Sequence, residues 1–390
     1  MSTNAVNRRA LIQGGVVAGA ALSATAVAGV ESATASGMRK GRPGRVPRMV
    51  VGTQRRASTV EALREFKRHG VERVCGYPPN PPRDQGTGER GYWLEAEVAQ
   101  TKEFIESEGL EMDMVALPFL GSTLIDRDRR PAIMLGRSPE RDRDIDDVQR
   151  NIEVCASVGV STIKYNQSIL GVLSTGEVPG RGGSVLRQFR ASDLDRSLPD
   201  TIAGKVDADT FWERIEYFVD RVMPVATQYR VRMACHPQDP GTPPGGYRGV
   251  EENVLSVPGG EGLFTFLRLN RSPYHGLNLC CGTLAEMLWN PAEEIYPIFR
   301  RLVRTERVFN IHLRNIKGRR NDFVECWPDE GVVDHARIIN IAADEGYTDA
   351  IDPDHIPDSD ADETGAQGYA HGYGFIAGAI AGARHRRTRT

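Results

Sequence analysis

The sequence predicts an α/β protein, a single (β/α)8 TIM barrel with loop insertions at its C-terminal mouth. Between residues 48 and 383, eight short apolar segments alternate with segments of helical periodicity. This is the pattern of parallel strands that are joined by helices. The chain has 390 residues, and such barrels often exceed about 250 residues as one domain. We therefore predict one barrel domain at 48–383.

The first half of the predicted barrel contains four strands and three helices. The strands are expected at residues 49–52, 71–75, 112–117 and 162–165. The helices are expected at residues 60–70, 94–108 and 148–157, the last one preceded by a charged segment at 137–146. Ser58 or Thr59 can cap the first helix and Gly70 can end it, which defines its bounds.

The second half contains the other four strands and five helices. The strands are expected at residues 231–236, 277–280, 308–312 and 348–354. The helices are expected at residues 208–229, 263–269, 291–304, 333–345 and 373–383. Two Gly- and Pro-rich stretches, 166–207 and 237–258, interrupt the alternation. Long irregular segments in a compact domain are often functional, so we expect the first stretch to be a loop that covers the barrel mouth.

Each of the last four strands ends in a side chain that can bind a metal ion. These side chains are His236, Cys280, His312 and Asp354. The strand ends of a barrel converge at its C-terminal face, so two imidazoles, a thiolate and a carboxylate would form an open transition-metal site there. Strand alternation should turn Cys280 inward and Cys281 toward the helical layer. Two buried structural thiols are the alternative, and we expect all six cysteines to be free.

Polar residues near these ligands are candidates for binding a substrate. Arg314 lies two residues beyond a ligand on the same strand face, where a guanidinium can bind a carboxylate through two hydrogen bonds. A surface arginine is the alternative. We assign to substrate binding, together with Arg314, the polar residues Asp239, Asn278 and Glu325.

Two further residues are candidates for proton transfer. His355 follows the carboxylate ligand and carries an imidazole that can act as acid or base. Tyr369 lies in a Gly-rich segment that can reach the same mouth, but a tyrosine of ordinary pKa near ~10 is a poor base. The sequence pattern alone favours a packing role for Tyr369.

The ordered motifs resemble those of the mannonate dehydratases, a family of the xylose-isomerase-like barrel superfamily. The motifs are His-Pro-x-Asp-Pro, Cys-x-Gly-Thr, His-Leu-Arg-Asn, Phe-x-Glu, Pro-Asp-His and Gly-Tyr, which start at His236, Cys280, His312, Phe323, Pro353 and Gly368. The resemblance covers residues 160–380. It implies a divalent metal ion bound by the four candidate ligands, and catalytic roles for His355 and Tyr369 whose order as acid and base stays open.

The resemblance also implies an activity. The expected enzyme is a metal-dependent hydro-lyase that removes water from a sugar acid, D-mannonate or a related aldonate, to give a 2-keto-3-deoxy product such as 2-keto-3-deoxy-D-gluconate. The family usually uses Mn2+, but a thiolate ligand suits iron or zinc better than manganese, so the identity of the metal stays open, with Mn2+ or Fe2+ as the candidates. Two alternatives stay open: a metal-dependent sugar isomerase or epimerase of the same superfamily, and a non-enzymatic exported sugar-binding protein. Asp352, Ile356 and Trp327 depart from the family pattern at the rim of the site.

Composition limits the partners of the chain. A formal net charge of −3 and interspersed charges give no basic surface of the kind that binds nucleic acid, so we expect a small-molecule substrate instead. A homo-oligomer is compatible with this composition. The basic end, 384–390, is expected to be a solvated tail.

The N-terminus resembles an export signal. Arg8 and Arg9 precede a Gly/Ala-rich apolar stretch at 14–30, and Ala33-Thr-Ala35 resembles a cleavage site. We predict a twin-arginine-type signal at 1–35, a linker at 36–47 and a periplasmic or extracellular location. A stretch so poor in Leu and Phe should not remain inserted in a membrane.

The export prediction can be tested directly. Replacing both Arg8 and Arg9 by Lys should retain the precursor inside the cell, because the twin-arginine route requires the paired guanidinium groups. Immunoblots of cell and exported fractions would measure this. Undiminished export of the double variant would contradict the twin-arginine route.

Overall fold

A computed structural model describes residues 48–81 and 90–388, and side chains up to residue 386. The predicted export signal and linker lie outside the described residues. Within them the strands are β1 (Val50–Thr53), β2 (Val71–Gly76), β3 (Glu111–Ala116), β4 (Thr162–Asn166), β5 (Gly176–Pro179), β6 (Ser184–Arg190), β7 (Arg232–His236), β8 (His275–Cys280), β9 (Val308–His312), β10 (Asn315–Arg319), β11 (Asp322–Cys326), β12 (Ala350–Asp352) and β13 (Asp358–Ser359).

Eight of these strands close into a parallel barrel in the order β1-β2-β3-β4-β7-β8-β9-β12, with β12 pairing back to β1. They are the eight strands that the apolar segments predict, so the predicted (β/α)8 fold is confirmed. The outward side chains of the strands are apolar and pack under the helices, as Ile163, Cys235 and Ile311 do.

Among the described residues, eight helices occupy the expected positions between the strands, and two short helices, at 132–135 and 281–286, were not predicted. They are α1 (Val60–Arg68), α2 (Glu95–Glu106), α3 (Ala132–Leu135), α4 (Glu140–Ser157), α5 (Ala208–Tyr229), α6 (Glu261–Leu269), α7 (Cys281–Glu286), α8 (Pro291–Val303), α9 (His335–Asp344) and α10 (Ala366–Thr388). Thr59 caps α1 by accepting a hydrogen bond from the amide of Ala62, and Gly70 follows with a positive φ of 85°. Of the helices in the described part of the chain, none is long and apolar enough to cross a bilayer.

The charged segment before the third predicted helix is itself helical. It forms the start of α4, where Glu140 and Asp142 lie in the first turn and interact favourably with the positive end of the helix. Asp144 is completely buried, and its Oδ1 lies 2.6 Å from the guanidinium of Arg130. The sequence did not predict the start of this helix because part of its inner face carries charged residues, such as Asp144, which form ion pairs.

The segment at 166–207 is not the irregular loop that we predicted. It contains β5 and β6, which join β10, β11 and β13 in a second sheet of five strands. The rings of Phe189 in β6 and Phe323 in β11 lie 5.4 Å apart and help to hold this sheet together. Its strands follow β4, β9 and β12, so the sheet lies at the C-terminal mouth; we call it the mouth sheet.

The last helix is longer than predicted. It begins at Ala366, so Tyr369 lies in the first turn of α10 and not in a Gly-rich loop. It also continues to Thr388 through most of the segment predicted as a tail. Arg384 donates a hydrogen bond of 2.6 Å to the carbonyl of Met49, and Arg386 pairs with Asp344. These contacts tie the basic end to the barrel.

Candidate active site

Four barrel strands bring the four candidate ligands together. His236, Cys280 and His312 are the last residues of β7, β8 and β9, and Asp354 lies two residues beyond β12. Backbone pairing places Cys280 beside His312, and His312 beside Asp352. One ligand atom from each of the four side chains lies within 4.8 Å of the others, and all four side chains are buried.

The two imidazoles of this cluster are oriented by hydrogen bonds. His236 donates from Nδ1 to the carbonyl of Pro237 at 2.6 Å, which leaves the lone pair on Nε2. The Nε2 atom of His312 is hydrogen-bonded to the Asn278 amide at 3.0 Å, and its Nδ1 lies 3.3 Å from Asp354 Oδ1. Burial lowers the pKa of His236 to about 3 and also lowers that of His312, so both rings are neutral, as metal ligands must be.

The adjacent cysteines have different surroundings, as strand alternation predicts. Cys280 caps α7, where its Sγ accepts from the Thr283 amide at 3.4 Å and its thiol donates to Asp354 Oδ2 at 3.4 Å. Cys281 packs in the apolar core. All six cysteines are free and buried. Burial raises the pKa of the Cys280 thiol well above its ordinary value, so ionisation of this thiol requires a nearby cation.

The cluster fits a divalent transition metal ion. Burial would raise the pKa of Asp354, but the neighbouring His312 and His355 hold it well below its ordinary value. Asp354 therefore offers a charged oxygen beside two neutral imidazoles and a thiol that already donates its proton toward that oxygen. This donor set of two nitrogens, one sulfur and one oxygen is typical of transition-metal sites.

A second group of possible metal ligands surrounds the guanidinium of Arg314, which takes the place of a metal ion. Asp239, Glu325 and His355 also lie close enough together to bind an ion. Arg314 occupies their centre: its Nη1 lies 2.5 Å from Asp239 Oδ2, 3.2 Å from Glu325 Oε1 and 2.9 Å from His355 Nδ1. The guanidinium therefore supplies the positive charge that this group requires.

The surroundings of Arg314 do not favour the role in substrate binding that the sequence predicts, because it contacts protein carboxylates and is not among the residues that line the cavity. Its side chain is fully buried, and its Nη2 donates to Glu286 Oε1 at 2.9 Å and to Thr283 Oγ1 at 3.1 Å. A Cβ atom at Gly282 would lie 2.3 Å from Arg314 Nε, so the glycine permits this close packing. Because its terminal nitrogens are already bound by carboxylates, Arg314 is not free to clamp a substrate carboxylate.

Two other residues assigned to substrate binding also have different surroundings. Asn278 is fully buried under His312 and accepts a hydrogen bond of 2.8 Å from Asn310. Glu325 is buried too, and its Oε2 lies 2.8 Å from His355 Nδ1. Both therefore position a neighbouring imidazole and do not line the cavity. Asp239, the fourth assigned residue, does line it.

His355 and Tyr369 both line the cavity beside the metal cluster. Burial opposes the protonation of His355, but the negative charges of Asp354 and Glu325 raise its pKa above the ordinary value. Arg187, from β6 of the mouth sheet, lies 3.4 Å from His355 Nδ1. Burial raises the pKa of Tyr369 to about 12, so its phenol carries its proton at neutral pH.

The cavity over the cluster has a volume of about 310 Å3 and a mostly polar lining, which suits a small hydroxylated ligand. Its lining includes residues that the sequence reading missed: Gln54, Tyr77, Lys164, Asn166, Ser168 and Gln238. Period-two alternation could have found two of them. Thr162, Lys164 and Asn166 share one face of β4, and a charged residue on that face must point into the barrel.

Comparison with known proteins places the chain among dehydratases. The model of the D-mannonate dehydratase (UxuA) family matches residues 201–383. A mannonate dehydratase of Streptococcus agalactiae serotype Ia is 30% identical over an alignment of 291 positions, and the match covers 67% of this chain and 78% of that protein. A mannonate dehydratase of Streptococcus uberis is 29% identical over an alignment of the same length, which covers the same shares of the two chains.

The fold has a counterpart among solved structures. The crystal structure of mannonate dehydratase from Streptococcus suis serotype 2 superposes with a TM-score of 0.73. The match covers 88% of this chain and 95% of that one, at 21% sequence identity. At this identity the structural likeness establishes the shared barrel fold.

Proposed function

Because the chain belongs to the mannonate dehydratase family, we propose that it converts D-mannonate, or a closely related aldonate, into the 2-keto-3-deoxy acid with the help of a divalent metal ion. The coarser activity follows from the family itself: this is a sugar-acid dehydratase, a hydro-lyase. The observation that supports the finer proposal is the convergence of His236, Cys280, His312 and Asp354 beside a polar cavity.

The reaction needs no oxidant or reductant. The C2–H bond breaks and a base takes the proton, and the C3–O bond breaks as an acid protonates the departing hydroxyl, which leaves as water. The enol that forms between C2 and C3 tautomerises to the 2-keto-3-deoxy acid. One base and one acid on opposite sides of the C2–C3 bond are therefore sufficient.

We assign His236, Cys280, His312 and Asp354 as the metal ligands, with Mn2+ or Fe2+ as the candidate ions. When bound, such an ion would polarise substrate oxygens and stabilise the negative charge that develops on them. Asn278 and Gln54 support this role, because they hydrogen-bond His312 Nε2 at 3.0 Å and Asp354 Oδ1 at 2.7 Å.

We assign His355 as the base and Tyr369 as the acid. Glu325 Oε2 lies 2.8 Å from His355 Nδ1, so its negative charge can stabilise the imidazolium that forms when the ring takes the C2 proton. Tyr369 keeps its proton because burial raises its pKa to about 12, so its hydroxyl can donate to the leaving C3 oxygen.

An assay of products tests the proposal. The purified protein, loaded with Mn2+ or Fe2+, should release a 2-keto-3-deoxy acid from D-mannonate, and a chelator should abolish the release. Epimeric aldonates and the matching aldoses serve as comparison substrates, since an isomerase or epimerase would convert an aldose without loss of water. Failure to form a 2-keto-3-deoxy acid from any aldonate would contradict the proposal.

A further inference from the structure

Lys164 presents its amino group to the cavity from inside the barrel. It lies in the middle of β4, where Ile163 and Tyr165 point outward into the apolar core. Backbone pairing places Lys164 beside Ala234, two residues below His236 in β7. Among the described residues that line the cavity, Lys164 is the only lysine or arginine.

The ammonium group of Lys164 is held beside the candidate metal cluster by one neutral residue. Its Nζ donates a hydrogen bond to Gln54 Oε1. Gln54 Nε2 in turn donates to Asp354 Oδ1 at 2.7 Å. The Gln54 amide therefore fixes the position of the ammonium relative to the cluster and neutralises none of its charge.

Three other cations near the cavity contact carboxylates, and one of them is Arg187, which lies 3.8 Å from Glu325 Oε1. Arg314 contacts Asp239, Glu286 and Glu325. Arg55 pairs with Glu65 at 2.9 Å. Within the described part of the chain, no carboxylate lies within hydrogen-bond distance of Lys164 Nζ. A partly buried ammonium without a carboxylate in direct contact is costly, and an anionic ligand in the cavity would supply that contact.

We propose that Lys164 is the residue that binds the carboxylate of the substrate, with Gln54 as its positioning residue. This inference rests on the proposed function, which makes the substrate a sugar acid. It replaces the assignment of that role to Arg314, whose guanidinium is enclosed by protein carboxylates.

The same contact has a consequence for the rate. Removal of the C2 proton spreads negative charge onto the carboxylate, so the pairing with Lys164 grows stronger as the reaction proceeds. Lys164 thus selects acids over aldoses and also contributes to kcat. An aldose or alditol of the same chain length offers no charge at this position.

A pair of unreactive ligands tests the assignment without turnover. The first is a 3-deoxyaldonate, which has no C3 hydroxyl to lose, and the second is the alditol with CH2OH in place of its carboxylate. Calorimetry gives both dissociation constants for the metal-loaded wild-type protein and for Lys164→Met, which keeps the chain length and removes the charge. The wild type should prefer the acid by about 10–100-fold, the range for a hydrogen bond to a charged group.

In Lys164→Met the ratio of the two dissociation constants should fall close to one, because only the affinity for the acid decreases. An unchanged affinity for the alditol shows in the same experiment that the variant is folded, and metal content should equal that of the wild type. The matched control is Lys205→Met, a strongly exposed lysine paired with Asp200, which should keep the wild-type preference.

Two results would overturn the assignment: a Lys164→Met variant that still prefers the acid, or one that loses affinity for both ligands equally. The second result would give Lys164 a structural role. Failure of the proposed function is a separate outcome, because it would appear as a wild-type protein that dehydrates no aldonate.

Discussion

Cys280→Ala should yield a folded protein without bound metal and without activity, whereas Cys281→Ala should retain both. Cys280 contacts Asp354 and lies among the other candidate ligands, while Cys281 packs in the apolar core. Even substitution of a residue that hydrogen-bonds a metal ligand typically reduces metal affinity or activity about 10–100-fold. Loss of a ligand itself should reduce metal affinity and activity at least as much. Elemental analysis of the purified variants measures the bound metal.

The two variants are matched controls for each other. Both cysteines are adjacent and completely buried, so both substitutions remove the same atoms from the interior. If Cys281→Ala is the variant without metal, the thiols have exchanged roles. If neither variant loses metal, the sulfur ligand is wrong and only the nitrogen and oxygen ligands remain.

Removal of either proton-transfer group should slow turnover strongly while the metal stays bound. We expect His355→Asn and Tyr369→Phe each to reduce kcat about 10²–10⁴-fold, the usual contribution of a positioned acid or base. Tyr369→Phe keeps the ring, which stacks under the guanidinium of Arg55 at 4.7 Å, so the fold should be unaffected. Steady-state kinetics and metal analysis on the same samples measure the two effects.

The control for this pair is His371→Asn. His371 lies in α10, two residues beyond Tyr369, but it is exposed and lies 3.3 Å from Asp329 at the surface. Its replacement should leave kcat unchanged. A Tyr369→Phe enzyme that turns over at the wild-type rate would exclude the phenol from proton transfer.

The barrel could be predicted from the sequence because its signals are local. Each strand is a short apolar run, and each helix has its own periodicity and caps, as Thr59 and Gly70 show for α1. The convergence of the ligands follows from the same reasoning, since a parallel barrel places successive strand ends at one face.

The missed features depend on contacts between distant segments. Arg314 is enclosed by Glu286 and Asp239, which lie 28 and 75 residues away along the chain. Strand spacing gives the face on which Arg314 lies but not the number of carboxylates that meet it. The mouth sheet was missed for a related reason: β6 pairs with β11 and with β13 across gaps of more than 100 residues, and such pairings leave no local signal in the sequence.

Lys164 shows the limit of apolar periodicity as a signal. β4 reads as a strand because of Ile163 and Tyr165, and this reading gives no weight to the polar residues between them. Those residues are the ones that face the inside of the barrel. A reading that also lists the charged residues on inward faces would have found Lys164.

The mouth sheet affects how this enzyme could be engineered. TIM barrels support many chemistries because the loops that follow their strands can vary while the barrel stays the same. Here the central strand β6 pairs with β5, β11 and β13, so the connections after β4, β9 and β12 form one hydrogen-bonded unit. Grafting any one of them alone would leave its partners unpaired. The substrate range should therefore change only when the three connections are transplanted together.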